Sequence, residues 1–385
     1  ELLDEVPRDT ERAMRAAGAS RFSALLFGTV PTAFADLISY SFYRFECAIR
    51  SAAVLGIVGA GGLGFQLALS FQSLRYNEMW TLLWALILLS GLADRWSSLV
   101  RRRRNTAAIE THAVTTDLAA PPRRDRLLTS SALAGAVMVP VSFWWLKVDI
   151  SSLWDSRARR LGRELVTDSW PPSIGDGGLI ELVSDSLDTI ALAVLSIAMA
   201  FVIASAVAGF ASRPQRKHSG LGMAARIGGG TVTRAILLIG RSVPPPVWAF
   251  VVVFVLFPGL WPGAVALAIY NAGVLGRLQA EIVENLDQSP ADALRASGAT
   301  AVGALAYATV PAVSGRFVSL GLYRWEVAIR ETVIVGVVGA AGLGRRLDEQ
   351  TSSFDYDGIF ATILALLVVT LIVDLVSSSI RRTLR

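Results

Sequence analysis

The stretch YRWEVAIRETVIVGVVGAAGLG at Tyr323–Gly344 occurs twice in this sequence, and the earlier copy reads YRFECAIRSAAVLGIVGAGGLG at Tyr43–Gly64. A shift of 280 positions aligns all of Glu1–Arg102 with Glu281–Arg382 without a gap. Over Glu11–Gly64, 24 of 54 positions are identical. Self-similarity at a fixed spacing indicates a duplicated structural unit. The sequence therefore predicts two copies with the same helices and the same direction through the fold.

The composition around this repeat is that of a membrane protein. Of 385 residues, 53% are hydrophobic and only 17% are charged, whereas soluble chains carry about a quarter charged residues. This argues against a water-soluble enzyme and against intrinsic disorder. The single cysteine excludes an internal disulfide, and with only two histidines in the chain a cysteine or histidine metal site is not expected.

The apolar segments predict about eight membrane spans, because a helix needs roughly 20 mostly apolar residues to cross the bilayer core. The first and seventh segments are too long for one straight span and contain charges, so we expect each to be one long tilted or interrupted helix. The positive-inside rule places the arginine clusters in the cytoplasm, and Lys147–Leu182 and Pro258–Pro262 then face outward. The segments are Ala24–Val58, Met79–Ala93, Leu128–Leu146, Thr189–Phe210, Ala235–Phe257, Gly263–Leu275, Ala304–Val338 and Ile359–Val376.

Four further spans precede the second copy and have no counterpart before the first. A complete unit then has six spans, and the sequence divides into an N-terminally incomplete first unit (1–102), a cytoplasmic linker (103–126) and a complete second unit (127–385). Two copies with one topology are related by an axis along the membrane normal. We expect about 150 further residues, forming four more spans, before Glu1 in the native chain. Naturally unequal halves are the alternative.

A short amphipathic segment precedes each long span. In copy two it reads SPADALRASG at Ser289–Gly298, where Ser289 and Asp292 resemble a capping box and Gly298 is suited to end the helix. The pattern of acid, alanine, apolar residue and glycine, with a proline further on, resembles the coupling helix of ABC importer permeases. The resemblance implies that these helices dock into a groove of an ATPase subunit; a plain surface helix is the alternative. In copy one Arg12 occupies the position of the acid. The candidate coupling residues are Glu11, Ala13, Gly18, Asp292, Ala293, Leu294 and Gly298.

The repeated stretch, Tyr43–Gly64 and Tyr323–Gly344, resembles the signature of the phosphonate/phosphate-type subfamily of these permeases. The resemblance covers essentially the whole chain. It implies an all-α, polytopic membrane helical bundle of the type I ABC importer kind, in the bacterial plasma membrane. The implied partners are two cytoplasmic ATP-binding subunits, an extracytoplasmic substrate-binding protein and the lipid bilayer, with no nucleic acid. We expect no cofactor and no ATPase site on this chain, because it has no GxxxxGK[ST] sequence, and ATP would bind to the partner subunits.

Charged residues inside the repeated span are candidates for an anion path. Glu46 and Arg50 are four residues apart, as are Glu326 and Arg330, so each pair lies on one helix face and is close enough to form an ion pair. Charges inside spans usually face a bundle interior or an aqueous cavity, and arginine suits an oxyanion. An ion pair that only locks the helix is the alternative. The other path candidates are Tyr43, Tyr323 and Asn271, although the tyrosines also suit packing or interfacial positions.

The glycine-rich runs Gly59–Gly64 and Gly339–Gly344 follow a helix and lack a Walker lysine, so we expect flexible or close-packed backbone there and no phosphate loop. Two other functions compete with an ABC permease. An integral membrane enzyme would need catalytic or metal-binding residues clustered at a membrane face. A secondary transporter, or a permease for another small solute, would leave the repeated glycine-ended helix unexplained. The sequence does not distinguish phosphate, phosphonate and phosphite.

Overall fold

The computed structural model describes residues 9–113, 126–147, 149, 151, 154–175, 177–212 and 221–383. Within these ranges the chain forms helices and no strand, as predicted for an all-α protein. The helices are α1 (Asp9–Ala16), α2 (Arg21–Ala24), α3 (Val30–Leu55), α4 (Gly62–Gln72), α5 (Tyr76–Ala113), α6 (Arg126–Trp145), α7 (Ser156–Asp168), α8 (Gly178–Ala211), α9 (Leu221–Ser242), α10 (Pro245–Val253), α11 (Leu260–Glu284), α12 (Ser289–Ala296), α13 (Ala301–Ala304), α14 (Val310–Gly336), α15 (Leu343–Ser352) and α16 (Tyr356–Thr383).

Several of these helices can cross a membrane. By length and composition, four of the described helices qualify, over Tyr76–Val100, Gly178–Ala211, Ala301–Gly336 and Tyr356–Thr383. Two pairs bent by 55° and 95°, α3 with α4 and α9 with α10, raise the number to six if each pair is one span. The predicted segments Leu128–Leu146 and Gly263–Leu275 also form helices, α6 and α11. The total of eight spans stays a prediction.

Both copies of the repeat have the same backbone irregularities. A π-helical turn occupies Leu25–Thr29 in copy one and Leu305–Thr309 in copy two. Each turn lies just before a proline, Pro31 or Pro311, whose missing N–H and bulky ring disfavour an ordinary α-helical turn behind it. Each long apolar segment was predicted to be one long tilted or interrupted helix, and each contains a π-helical irregularity near its start.

The chain divides into two compact units that cut across the repeat. Unit 1 contains 1–52 and 88–158, and unit 2 contains 53–87 and 159–385. The division predicted from the repeat, at residues 102 and 126, stays a prediction. One detail of the predicted linker differs, because α5 continues as a helix to Ala113. The segment from Arg103 to Ala113 has no glycine or proline to stop it, and residues 114–125 lie outside the described ranges.

In unit 1, Trp96 of α5 joins three helices. Its ring lies 5.0 Å from that of Phe42 and 6.4 Å from that of Phe45, both in α3. Its Nε1–H donates a hydrogen bond of 3.0 Å to Ser131 Oγ of α6. A large ring with a satisfied polar tip suits this position in an apolar bundle.

Unit 2 is built around α11, which packs against α8, α9, α10 and α14. Small residues on α11 permit these close contacts: a Cβ added at Gly273 would lie 2.6 Å from the backbone nitrogen of Arg241 in α9. In the same unit, α4 packs on α10, where the rings of Phe71 and Phe250 are 4.2 Å apart. Unit 2 thus combines residues 53–87 from the middle of copy one with the whole of copy two.

Candidate translocation site and coupling helices

The predicted coupling helix of copy two is α12, and its C-terminus is built by glycine. Gly298 adopts φ +91°, and the N–H groups of Gly298 and Ala299 donate to the carbonyls of Arg295 and Leu294, each at 3.0 Å. This is the pattern of a glycine-terminated helix. Ala293 is exposed and Leu294 is half-buried, so both are available to a partner.

The N-terminus of α12 differs from the prediction. Ser289 does not form a capping box with Asp292; its hydroxyl instead donates to Asp287 Oδ1 at 2.7 Å. Asp292 pairs with Arg295 within the helix at 3.2 Å. The Ser289 hydroxyl bonds to Asp287 in place of a capping bond because serine and aspartate side chains readily form hydrogen bonds with residues close in sequence.

In copy one, α1 ends in the same way, with Gly18 at φ +91°. Its acid is engaged inside the chain, because Glu11 accepts a hydrogen bond of 3.3 Å from Thr29 Oγ1 and pairs with Arg15 at 3.0 Å. Ala13 is exposed, like Ala293 of copy two. The two helices therefore share a small, exposed face and differ in where they carry their acid. Their contact with an ATPase subunit stays a prediction.

The ion pair predicted between Glu326 and Arg330 is not formed. Arg330 instead donates to both carboxylate oxygens of Asp374 in α16, at 3.1 and 3.3 Å. The Arg381 guanidinium lies 2.6 Å from Glu326 Oε1, an ion pair by distance without hydrogen-bond angles. Both residues thus tie α14 to α16, because a neighbouring antiparallel helix offers each one a partner of opposite charge. In copy one the side chains of Tyr43 and Glu46 lie outside the described ones.

Asn271, a predicted path residue, lies in a closed network. It is fully buried, and its Oδ1 accepts from Arg324 Nε at 2.8 Å. Arg324 also pairs with Glu331 at 3.1 Å, and its guanidinium lies 5.6 Å from the centre of the Tyr270 ring. A buried arginine needs partners of this kind. The network joins α11 to α14.

Sequence reasoning did not select Arg324, Glu331, Asp374 or Arg381 as site residues. A signal was available for three of them: Arg324 belongs to the repeated Tyr-Arg pair, and Asp374 and Arg381 match Asp94 and Arg101 at the repeat spacing. Tyr323, which was selected, is 52% exposed. It therefore stands on the surface of the described chain and not in its core.

Of the two predicted forms, flexible or close-packed backbone, the last glycine of each run shows close packing, whereas a Cβ at Gly59, Gly61 or Gly62 would meet nothing within 4 Å. A Cβ on Gly336 would lie 2.6 Å from the Cα of Gly344, and one on Gly344 would meet the backbone of Val333. The same contact recurs in copy one between Gly64 and the backbone of Ala53. Only glycine fits such a contact, and the end of each long helix folds back over it.

Comparisons with known proteins identify the family of this chain. The model of the family "binding-protein-dependent transport system inner membrane component" matches residues 1–105 and 220–385. The chain belongs to this family. It is a multi-pass component of the bacterial inner membrane, and permeases of this kind work with ATP-binding subunits and a substrate-binding protein.

Individual relatives carry related names. The chain is 28% identical to the phosphate-import permease protein PhnE of Mycolicibacterium smegmatis, over 100% of this chain and 68% of that protein. It is 31% identical to the phosphite transport system permease protein PtxC of Stutzerimonas stutzeri, over 57% of this chain and 76% of that protein. Among solved structures, a chain of the inward-facing MetNI methionine ABC transporter is 19% identical, with a TM-score of 0.48, and covers 55% of this chain and 99% of that one.

Proposed function

We propose that this chain is the translocation subunit of an ATP-driven importer of phosphorus oxyanions, namely phosphate, phosphite or phosphonate. The observation that carries this proposal is the match to a phosphate-import permease along the whole chain. A phosphite permease among the relatives supports the same class of substrate. Energy would come from two separate ATP-binding subunits acting through α1 and α12, and no cofactor would bind to this chain itself.

A polar stripe on α14 is the proposed path. Arg316, Ser319, Tyr323 and Arg330 follow one another at spacings of three, four and seven residues, which places them on one helix face. Arg316, Tyr323 and Arg330 are exposed and Ser319 is half-buried. The side chains of Arg330 and its partner Asp374 are 56% and 41% exposed.

Exposed charges on a spanning helix need water or protein beside them, because facing lipid costs several kcal/mol, roughly 2.5–3.5 at the helix centre on insertion scales. The stripe therefore suits an aqueous path. Arginine binds tetrahedral oxyanions through paired N–H donors, so Arg316 and Arg330 supply the chemistry that phosphate requires. The corresponding residues of copy one are Asp36, Ser39, Tyr43 and Arg50, which retain one of the two arginines.

Uptake by the complete transporter tests this proposal. The permease, its ATP-binding subunits and its binding protein are reconstituted in liposomes, and uptake of radiolabelled phosphate is measured with and without ATP. We expect ATP-dependent uptake that excess phosphite or methylphosphonate inhibits and that a collapsed proton or sodium gradient leaves unchanged. Uptake driven by an ion gradient without ATP would indicate a secondary transporter. ATP-dependent uptake of another solute, with none of these oxyanions, would overturn the substrate class.

A further inference from the structure

A charged pocket of about 400 Å³ lies in unit 2, at the ends of spanning helices. The start of α8, the helix α15 and the connection from α15 to α16 form its walls. Five of its lining residues are acidic and two are arginines, so the lining has a net charge of −3, five acidic against two basic. We call this cavity the outer pocket.

The two arginines are already committed to partners within the chain. Arg346 is 12% exposed and donates to Asp185 Oδ2 at 3.1 Å and to the carbonyl of Ile174 at 2.6 Å. Arg345 donates to Glu349 Oε1 at 2.8 Å. Arg346 also lies 3.8 Å from Glu181, which is 57% exposed. Among the described residues neither arginine forms an ion pair with Asp188 or Asp355, so these two carboxylates are the half-buried part of the pocket's excess negative charge.

The pocket also offers a hydrogen-bond donor. Gln350 is 8% exposed, and its Oε1 accepts a hydrogen bond of 2.7 Å from Thr362 Oγ1. Among the described residues no group accepts from its amide nitrogen. This nitrogen is not one of the buried polar atoms that lack a partner, so it is accessible and can donate to a group in the pocket. The lining therefore presents carboxylates for a cation together with a donor for a carbonyl oxygen.

The repeat supplies a control for the role of these charges. In copy one α4 folds onto the same glycine contact as α15, yet the positions of Arg345, Arg346, Glu349 and Asp355 hold Phe65, Gln66, Leu69 and Arg75. The turn thus forms without the charged set. The charges of the outer pocket are not required by the fold of this helix and are available for an interaction.

The position and charge of the outer pocket indicate which kind of group could bind in it. The pocket lies at the C-terminal end of α14 and the N-terminal end of α16. The proposed coupling helix precedes the other end of α14, and Arg381 and Arg382 lie at the other end of α16. If those ends are cytoplasmic, as predicted, the pocket is on the extracytoplasmic side. A phosphorus oxyanion would be repelled by the net negative charge. Among the described residues no three His, Cys, Asp or Glu side chains are placed so that they could hold a metal ion together. A lysine or arginine side chain, with a neighbouring peptide carbonyl, fits both the carboxylates and the Gln350 amide.

We propose that the outer pocket receives a basic side chain of the substrate-binding protein when that protein docks. This inference rests on the proposed function, since it takes the docking partner from it. The positions of copy one that correspond to α15 and the connection after it hold no acidic residue from this set, so the pocket would orient the partner on the permease. Charge pairs across an interface mainly set specificity and association rate, and close ones add affinity.

The test uses the complete transporter in nanodiscs and its own binding protein. Asp188→Asn and Asp355→Asn are combined, because asparagine keeps the hydrogen bond that Asp355 Oδ1 accepts from the N–H of Gly358 at 3.1 Å. We expect the dissociation constant of the binding protein to rise about tenfold or more and its dependence on salt to weaken. Basal ATPase activity without binding protein should be unchanged. Asp168→Asn, at an exposed position of α7 outside the pocket, is the matched control.

An unchanged dissociation constant in the double variant would overturn the proposal. So would a loss of binding equal to that of Asp168→Asn, or loss of wild-type docking in EDTA, which would indicate a metal ion in the pocket. Asp188→Asn alone serves if the double variant does not assemble, and a dissociation constant equal to that of the wild type would again count against docking. Failure of the proposed function is separate, because it appears as absent oxyanion uptake by the wild-type transporter.

Discussion

Arg330 and Asp374 decide at the residue scale whether the charges of α14 guide an anion or only hold helices together. Exchanging Glu326 with Arg330 cannot decide this, because it would set like charges against Arg381 and Asp374. The informative change exchanges residues across the two helices, Arg330→Asp with Asp374→Arg. We expect Arg330→Asp alone to reduce assembly, since two carboxylates would face each other inside the membrane. The double variant should assemble normally and yet take up less phosphate, because the positive charge has left the stripe. Wild-type uptake by the double variant at matched expression would contradict a role in the path.

Asp355 gives a second prediction at this scale, which concerns pH. A hydrogen bond with Asp357, together with burial, raises the pKa of the Asp355 carboxyl against the opposing effects of the hydrogen bond from the Gly358 N–H and of the charge of Arg346. The folded protein therefore holds this proton more tightly than the unfolded chain, so lowering the pH through the raised pKa favours the fold while it removes charge from the outer pocket. We expect affinity for the binding protein to fall as the pH is lowered from neutral, measured by titration at fixed ionic strength. Asp355→Asn should flatten the part of that curve at higher pH, and an unaltered curve would exclude Asp355 as its source.

At the scale of elements, the fold-back of α15 depends on the contact between Gly344 and the backbone of Val333. A methyl group on Gly344 would lie 2.8 Å from the Cα of Val333, which is closer than non-bonded atoms allow. Overpacking of this kind typically costs about 1–3 kcal/mol. We expect Gly344→Ala and its counterpart Gly64→Ala to lower the melting temperature of the detergent-solubilised protein. Gly91→Ala, where nothing lies within 4 Å, should be neutral or slightly stabilising. Equal melting temperatures for all three variants would show that the contact does not limit stability.

The coupling helices give the other prediction for an element. Gly298→Arg and Ala293→Asp should separate ATP hydrolysis from uptake, because each adds bulk or charge to an exposed face of small residues. Gly298 has open space around it but φ +91°, so any side chain there also strains the helix end. Gly18 has the same φ and the same open space. Gly18→Arg therefore carries equal strain, and we expect it to be milder because copy one lacks the acid at position 12. The ratio of uptake to ATP hydrolysis measures coupling, and an unchanged ratio in Gly298→Arg would remove the assignment.

Much of this architecture follows from sequence because its signals are local. Apolar length indicated the helices, and the repeat indicated that Gly18 and Gly298, or Pro31 and Pro311, would occupy equivalent backbone positions. Tertiary partners are different. The i, i+4 spacing predicted that Arg330 pairs with Glu326. The actual partner of Arg330 is Asp374, which lies on another helix. Helical spacing contains no information about which helices become neighbours. For the same reason the compact units do not follow the repeat: residues 53–87 pack with α10 through contacts such as Phe71 on Phe250.

At the scale of the whole molecule, orientation in the membrane connects the proposals, since α12 must face the ATP-binding subunits and the outer pocket must face the binding protein. The chain has one cysteine, Cys47, so Cys47→Ser gives a background for single-cysteine labelling. Ser156 at the start of α7 and Ser297 at the end of α12 are both exposed. The arginine clusters beside the spans predict that α12 is cytoplasmic. We expect Ser156→Cys to react with a membrane-impermeant maleimide on intact spheroplasts, and Ser297→Cys to react only after permeabilisation. The opposite result would show that the outer pocket faces the cytoplasm, where an extracytoplasmic binding protein cannot reach it. It would also show that α12 is extracytoplasmic and cannot contact an ATP-binding subunit.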